Sequence, residues 1–292
     1  EIKRRRFKPE RNETIGTSYI QCLLPESGDR VHWGNGVIDR LLASEFIYGR
    51  LFRGVERVRP EERLAVQLLL LSYGALVIFC DPPDEAIIEG WKDREQLYDD
   101  PLRIARAYRE RMRPIFRPLP MVRFDWTSDG DEMIKWILRT HRQIQEDRSR
   151  HLGWWSVNPY GAGSLEPTYI FINDQNSANT VTPVPFSHGR TGGFFAWTFD
   201  QVPDILRNSY VTNAVKGTEK DAAIRREEIS FLASPETTII TLGHVAKEAY
   251  DSIRSSLPHP KDPYHMPHPG FWRRFRFDRR DKYVAMLKGA CT

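Results

Sequence analysis

The chain has 292 residues, of which 40% are hydrophobic and 12% aromatic, so it can bury one large core or two smaller ones. Its 43 lysines and arginines nearly balance 39 aspartates and glutamates, and a formal net charge of +4 is typical of a soluble globular protein. Cys22, Cys80 and Cys291 are isolated and odd in number, which argues against a disulfide framework and against a cysteine-held zinc or iron–sulfur site. We therefore expect a reducing compartment.

The basic residues are clustered in two runs, at 3–11 and 273–282. Such runs indicate a polyanionic partner, although they also occur as solvated tails or faces. Residues 1 to about 30 contain the first run, are polar and lack periodicity, so we predict an extended arm there.

The most apolar stretch, Leu64 to Cys80, approaches the length of a membrane span. It contains Gln67, Ser72 and Gly74, and charged helical sequence precedes it, so it predicts a buried helix running into a short strand. No signal peptide is recognised. These features predict a cytoplasmic protein without a membrane partner.

From Asn35 onward, apolar residues recur at three- and four-residue steps, which predicts helices. The predicted helices are VIDRLLASEFIYGRLF, EERLAVQLLLLSY, EAIIEGWKDREQLY, LRIARAYRERM and DEMIKWILRTHRQIQ. Residues 1–152 are therefore predicted to form a mainly helical N-terminal region, which can pack on the domain that follows. Prolines mark its joints, at Pro60, Pro82, Pro83 and Pro101.

A linker rich in Trp, Asn, Pro and Gly, at 153–167, opens the second domain, residues 153–292. Strand-like runs, TYIFIN, SYVTNAV and TTIITLG, there alternate with the helix-like runs FDQVPDIL, KDAAIRREEISFL and HVAKEAYDSI. This alternation predicts parallel strands with crossover helices, an α/β three-layer sandwich with a short central parallel sheet. Ligands bind such sheets at the carboxyl ends of the strands.

Polar residues cluster at those predicted strand ends. They are Asn173, Asp174, Gln175, Asn176 and Ser177 after the first strand, Asn213 near the end of the second, and Gly243 after the third. Beyond the last helix lies a loop that contains His268. Convergence of three strand ends and one loop predicts a single functional crevice.

The His268 loop has the sequence YHMPHPGFWRRF, residues 264–275. Its flanking prolines predict a rigid, non-helical backbone that aims the imidazole. Gly270 is expected to adopt angles that other residues avoid, so that Phe271 and Trp272 protrude. Arg273 and Arg274 would then face an anion, which predicts a wedge for a nucleic-acid duplex beside a catalytic cation. The alternative is a surface turn packed on the core, with FWRRFRF forming a final strand or helix whose aromatic residues pack inward.

The segments IFINDQNS, PVPFSHGRTGG, YVTNAVK, TTIITLGHVAKEAY and MPHPGFWRR, in this order, resemble the uracil-DNA glycosylase superfamily over residues 165–292. They stand where that family has its GEAPG-type water motif, G-x-PF-x-G-x-x-G segment, YITNVVK strand, LG-x-x-A turn and HPS loop. The N-terminal helical half has no counterpart that we recognise. The resemblance implies a DNA partner, double- or single-stranded.

The resemblance implies roles for individual residues. His268 would hydrogen-bond the departing base oxygen, and Asp174 would orient or activate the attacking water. Asn173 and Asn176 replace the first glycine and the proline of the water motif, so Asp174 and Gln175 both remain candidates for positioning the water. The alternative for Asp174 is a helix or turn cap.

Phe186 would stack on an extruded pyrimidine, and Asn213 would read its Watson–Crick edge, with Asn173 beside it. Ser177 is small where uracil-strict relatives carry a bulky aromatic, so we predict a pyrimidine enlarged at carbon 5, such as a hydroxymethylated or glycosylated base of phage DNA.

The DNA-binding residues implied by the resemblance surround the His268 loop. Phe271 and Trp272 would fill the space left by the flipped nucleotide. Phosphate contacts are expected from Arg273, Arg274, Arg276 and Lys216, with Gly270 shaping the loop.

His259, His265 and His268 could suggest zinc, but the intervening prolines prevent helical ligand spacing, so we predict neither a metal nor another cofactor. The predicted function is that of a monofunctional DNA glycosylase that leaves an abasic site, in base-excision repair or in defence against phage with modified DNA. The alternatives are a non-catalytic nucleic-acid-binding relative and a hydrolase of free modified nucleotides.

Overall fold

The computed structural model describes Tyr19 and residues 41–92, 100–128, 130–137, 139, 161–175, 184–215 and 222–292. Most of the predicted N-terminal arm, residues 153–160 of the predicted linker, Asn176, Ser177 and Lys216 lie outside the described residues. Gln175 is described as a strand residue without a side-chain placement.

The described residues of the N-terminal half contain a helix at each of the five predicted stretches, of which residues 37–40, 93–98, 138 and 140–145 lie outside the described residues. The helices are α1 (Leu41–Tyr48), a π-helix (Gly49–Arg53), α2 (Pro60–Ser72), α3 (Asp84–Lys92), α4 (Pro101–Phe116) and a helical stretch at 130–137. Helix α2 begins where Pro60 supplies a preset φ at its first position and the Glu62 carboxylate accepts the Arg59 amide at 2.8 Å. The apolar stretch that approached membrane-span length is α2 followed by strand β1 (Val77–Cys80), as predicted. No helix in the described part of the chain is long and apolar enough to cross a bilayer.

One strand of this half was not predicted. Strand β2 (Met121–Phe124) pairs in parallel with β1, and α3 and α4 lie between the two in the chain. Its four residues follow the helix and prolines of 116–120 and are too few to display a strand period. The helical half therefore includes a small parallel sheet.

The second half carries the main sheet. Its strands are β3 (Ala162–Gly163), β4 (Tyr169–Gln175), β5 (Ser209–Val215), β6 (Thr238–Leu242) and β7 (Tyr264–Met266). Its helices are α5 (Gly189–Asp200), α6 (Pro203–Arg207), α7 (Ala222–Leu232), α8 (His244–Arg254), α9 (Pro269–Phe275) and α10 (Arg280–Ala290), with a 3₁₀ turn at Phe277–Arg279 between the last two. The predicted helix FDQVPDIL is divided, because Pro203 starts a new helix.

The strand order is β3-β5-β4-β6-β7. Strand β4 is parallel to both β5 and β6, and β7 is parallel to β6, whereas β3 is antiparallel to β5. The chain is therefore α/β with a mixed sheet in which parallel pairs predominate. The predicted linker is wrong at 162–163: these residues form the edge strand β3, where Gly163, at φ 134°, approaches the Ser209 carbonyl too closely for any Cβ.

Alternate residues of the central strands enter different cores. Phe171, Val211 and Ile240 belong to one buried cluster, which also contains Phe195 and Phe199 of α5. Their strand neighbours Ile170, Ile172 and Tyr210 belong to a second cluster with residues of α7 and α8. Helices therefore pack on both faces of the sheet.

The N-terminal half shares the first of these cores. Leu64, Leu68 and Leu69 of α2 are buried in the cluster that contains Phe195, and α2 contacts both α5 and β3. A Cβ built on Gly192 would lie 2.2 Å from the Phe186 carbonyl oxygen and 2.9 Å from Glu61 Cβ. This glycine therefore allows α2, α5 and the Phe186 loop to approach one another.

We expect Gly192→Ala to lower the free energy of unfolding by about 1–3 kcal/mol, because the added methyl group overpacks this junction. Gly289→Ala is the matched control, since a Cβ there meets no atom within 4 Å in a helix and should be neutral or stabilising by up to about 1 kcal/mol. Urea unfolding of both variants measures the difference. Equal urea midpoints for the two variants would show that the junction accommodates the added methyl group without a loss of stability.

Candidate functional site at the carboxyl edge of the sheet

The structure brings the predicted polar residues together at one edge of the sheet. Asn173 of β4 pairs in register with Asn213 of β5 on one side and with Leu242 of β6 on the other. The loop after β7 places His268 within hydrogen-bonding distance of Asn173. The predicted convergence of strand ends and loop at a single position is present.

Three hydrogen bonds join Gly270, His268, Asn173 and Asn213 in a chain in which each residue donates to the next. The Gly270 amide donates to His268 Nδ1 at 3.0 Å, so Nδ1 is unprotonated and the ring proton resides on Nε2. His268 Nε2 then donates to Asn173 Oδ1 at 2.9 Å, and Asn173 Nδ2 donates to Asn213 Oδ1 at 2.9 Å. Because Asn173 and Asn213 are each only 2% exposed, both amides are held in fixed orientations. We call this the His268–Asn173–Asn213 relay.

The backbone around His268 sets its direction. His268 is extended, at φ −59° and ψ 134°, and caps α9, which Pro269 begins. The expectation that Gly270 adopts unusual angles is wrong, because it lies within α9 and not in the positive-φ region. Its smallness matters for another reason: a Cβ there would lie 2.9 Å from His268 Nδ1 and 3.1 Å from Thr191 Oγ1.

The protonation state of His268 follows from its surroundings. Burial lowers the pKa of His268 below its ordinary value of about 6.5, and the negative charge of Asp174 offsets part of that shift. The imidazole is therefore neutral at pH 7, in contrast to the cation expected from the sequence. A neutral imidazole with its proton on Nε2 remains a directed hydrogen-bond donor.

Asp174 is a helix cap in this structure. Its Oδ1 accepts the Ala246 amide of α8 at 2.8 Å, so the half-buried carboxylate lies at the N-terminus of that helix. Gly243, at φ 99°, precedes the helix, and a Cβ there would lie 2.5 Å from Asp174 Oδ2. Asp174 Oδ1 therefore has the capping role that the sequence offered as an alternative. Its hydrogen bond with the Ala246 amide holds the carboxylate in one orientation.

Phe186 lies beside the His268–Asn173–Asn213 relay. Its ring centroid is 4.0 Å from that of Phe195 and 6.4 Å from that of His268. It is 6% exposed, and among the described residues it is the one non-glycine residue with a positive φ, at 57°. The surrounding packing therefore maintains an uncommon backbone conformation next to the site.

The helix after His268 separates the two predicted wedge residues. Phe271 is 51% exposed. Trp272 packs on Tyr283, with ring centroids 5.6 Å apart, and its Nε1 donates to the Arg279 carbonyl. The expectation that both residues protrude is wrong for Trp272, because α9 directs successive side chains about 100° apart.

The basic residues of this helix differ in burial. Arg273 is half-buried, and its Nε is buried without a hydrogen-bond partner. Arg274 is exposed, with its guanidinium 5.9 Å from the Phe275 ring centroid. Phe275 and Phe277, which we did not predict as site residues, are 58% and 54% exposed. Their position among arginines was the sequence signal that could have identified them.

Two of the three histidines of the zinc alternative, His265 and His268, have different neighbours. His265 Nδ1 lies 3.2 Å from Thr241 Oγ1, whereas His268 belongs to the relay. Within the ranges that the structure describes, no three His, Cys, Asp or Glu side chains come close enough to hold a metal ion.

Comparison with known proteins found no protein-family profile that matches the chain and no curated protein with a significant sequence match.

Proposed function

We propose that the chain is a monofunctional DNA glycosylase, which extrudes a pyrimidine from DNA and hydrolyses its N-glycosidic bond. The observation that carries this proposal is the His268–Asn173–Asn213 relay at the carboxyl ends of parallel strands, beside Phe186 and followed in the chain by the exposed Phe271. The relay supplies amide and imidazole groups for a base edge, next to an aromatic ring that can stack on it.

His268 would stabilise the leaving base. When the C1′–N bond breaks, its electron pair passes to the base, which departs as an anion. His268 Nε2 donates to Asn173 Oδ1, and a bound base oxygen would replace that acceptor. Because Nδ1 accepts the Gly270 amide, the neutral ring keeps its proton on Nε2 and can donate that hydrogen bond to the base anion without transferring the proton.

Asp174 would act on the attacking water. The water oxygen bonds to C1′, its proton passes to the carboxylate, and the base finally takes up a proton from solvent. The Ala246 amide binds Oδ1, and Oδ2 is the oxygen proposed to contact the water. Gln175 is the other proposed water-positioning residue.

We propose that the preferred substrate is a pyrimidine with a substituent at carbon 5, as in phage DNA with modified bases. The reason is the small size of Ser177. Phe186 and Asn213 would hold the ring, and the small side chain of Ser177 would leave room for the substituent. The biological role that fits such a substrate is defence against phage with modified DNA, with base-excision repair as the other role that this chemistry serves.

The test is mass spectrometry of free bases released from plain DNA, uracil-containing DNA and phage DNAs with hydroxymethylated or glycosylated pyrimidines. We expect release of one pyrimidine base, with matching abasic sites in the DNA. Release of plain uracil alone would overturn the preference for an enlarged base and leave the glycosylase activity standing.

One observation favours a second candidate. The contact between Asp174 and the Ala246 amide would also occur in a non-catalytic nucleic-acid-binding relative, in which the carboxylate serves only as a cap. DNA binding without base release across the whole panel would support that candidate and overturn the proposed hydrolysis.

A further inference from the structure

The C-terminal part of the chain exposes an unusual amount of aromatic surface. Phe271, Phe275 and Phe277 are 51%, 58% and 54% exposed, and they lie within one short stretch. Single exposed apolar side chains are common on soluble proteins, whereas a contiguous group usually marks an interaction site. We call these three rings, with Arg273 and Arg274, the aromatic–arginine ridge.

Two of the three rings are in contact, and the third follows them in the chain. Phe271 and Phe275 lie one helical turn apart on α9, with centroids 5.2 Å apart and planes inclined by 47°. Phe277 follows in the 3₁₀ turn, where the Arg280 guanidinium lies 5.5 Å from its ring centroid and 4.8 Å from that of Trp197. The ridge thus begins next to His268 and continues away from it along the chain.

Within the part of the chain that the structure describes, no ion pair joins Arg273 or Arg274 of the ridge, or the neighbouring Arg276, to an acidic residue. Arg273 also has a buried Nε without a partner, which is costly unless a ligand is nearby to offset it. Aromatic rings alternating with such cations match a strand that offers both bases and phosphates.

We propose that the aromatic–arginine ridge binds single-stranded DNA, with unpaired bases stacked on Phe275 and Phe277 while the arginines contact the phosphates. This inference rests on the proposed function, which places the extruded nucleotide at His268. In a duplex, the bases are already stacked on one another. One flipped nucleotide leaves one gap in the base stack, which one aromatic side chain can fill. The remaining rings of the ridge would face the sugar-phosphate backbone. In a single strand every base has a free face for stacking.

The test measures dissociation constants for a single-stranded oligonucleotide and for the same sequence as a duplex, by fluorescence anisotropy. The variants are Phe275→Ala, Phe275→Trp and the double variant Phe275→Ala with Phe277→Ala. Phe231→Ala is the matched control, because Phe231 is a partly exposed phenylalanine of α7, which packs against the other face of the sheet.

We expect Phe275→Ala to weaken single-strand binding by about fivefold to a hundredfold, and the double variant to weaken it further. Phe275→Trp should retain wild-type affinity, and Phe231→Ala should change nothing. Duplex binding should fall by less than about twofold in all of them, since stacking on the outer rings requires unpaired bases. Thermal unfolding confirms that the variants are folded.

Equal losses for single strand and duplex, or no loss for the single strand, would overturn the inference. The inference would also be overturned if the chain dimerises through the ridge. In that case Phe275→Ala would produce a monomer in sedimentation equilibrium and leave the DNA affinity unchanged. Because binding is measured without turnover, the outcome is distinguishable from failure of the proposed function. If single-strand binding depends on the rings but no DNA releases a base, the proposed role of the ridge stands and the proposed glycosylase activity is rejected.

Discussion

His268→Ala is expected to slow base release at least about a hundredfold in single-turnover assays. A preorganised donor to a developing oxyanion typically contributes a factor of about 10² to 10³. In this chain the donor is Nε2, and the Gly270 amide fixes its protonation by occupying Nδ1. DNA binding should be retained, because the arginines proposed to contact phosphates lie on the following helix. His268→Gln, which keeps an amide donor, should recover part of the rate.

The pH dependence of the same step follows from the state of His268. Its folded-state pKa is lowered by burial, so the active neutral form persists below the ordinary value of about 6.5, and the acid limb of the rate should lie below that pH. The contribution of this shift to the free energy of unfolding is fully present above about pH 6.5. It is lost as the pH falls through the folded-state pKa, because the unfolded chain takes up the proton more readily. Asp174 raises this pKa, so Asp174→Asn should lower it further in an NMR titration of the ring.

A rate that rises as the pH falls through the range below 6.5 would contradict a neutral donor and support an imidazolium. If His268→Ala released base at the wild-type rate, the histidine would be only the cap of α9. A loss of folding is checked by thermal unfolding, since removal of a capping side chain costs about 1 kcal/mol.

Asp174→Asn is expected to slow base release by about 10² to 10⁴, while leaving the free energy of unfolding nearly unchanged. The asparagine oxygen can still accept the Ala246 amide, so the cap of α8 survives. Its amide carries no negative charge and cannot take up the proton of the attacking water. Single-turnover rates and urea unfolding of the same samples separate the two functions of the side chain.

Asp174→Ala provides the comparison. It removes the cap together with the charge, and should lower the free energy of unfolding by about 0.5–2 kcal/mol in addition to the loss of rate. Wild-type release by Asp174→Asn would show that Asp174 is only a cap and would leave Gln175 as the residue that positions the water.

Several features of the fold could be predicted from short stretches of sequence. The runs TYIFIN, SYVTNAV and TTIITLG form β4, β5 and β6, because β-branched and apolar residues bounded by polar ones specify a buried strand locally. Parallel pairing then places Asn173 and Asn213 in register at the same edge, a consequence of the strand–helix alternation that is itself visible in the sequence.

Other features depend on partners that are distant in the chain. Strand β2 exists because β1 lies beside it, and residues 162–163 form a strand because β5 does. Asp174 caps a helix that begins many residues later, and Gly270 is small because the His268 ring and Thr191 occupy the space that a Cβ would take.

The same distinction applies within the FWRRFRF stretch. Its composition already indicated a surface for a polyanion, since the charges and rings are properties of the residues themselves. Packing decided which ring is partly buried: Trp272 packs on Tyr283 of the following helix, whereas Phe271 and Phe275 remain exposed. Local patterns specify elements because backbone preferences act over a few residues, whereas burial of a particular side chain depends on the surface that the rest of the fold presents to it.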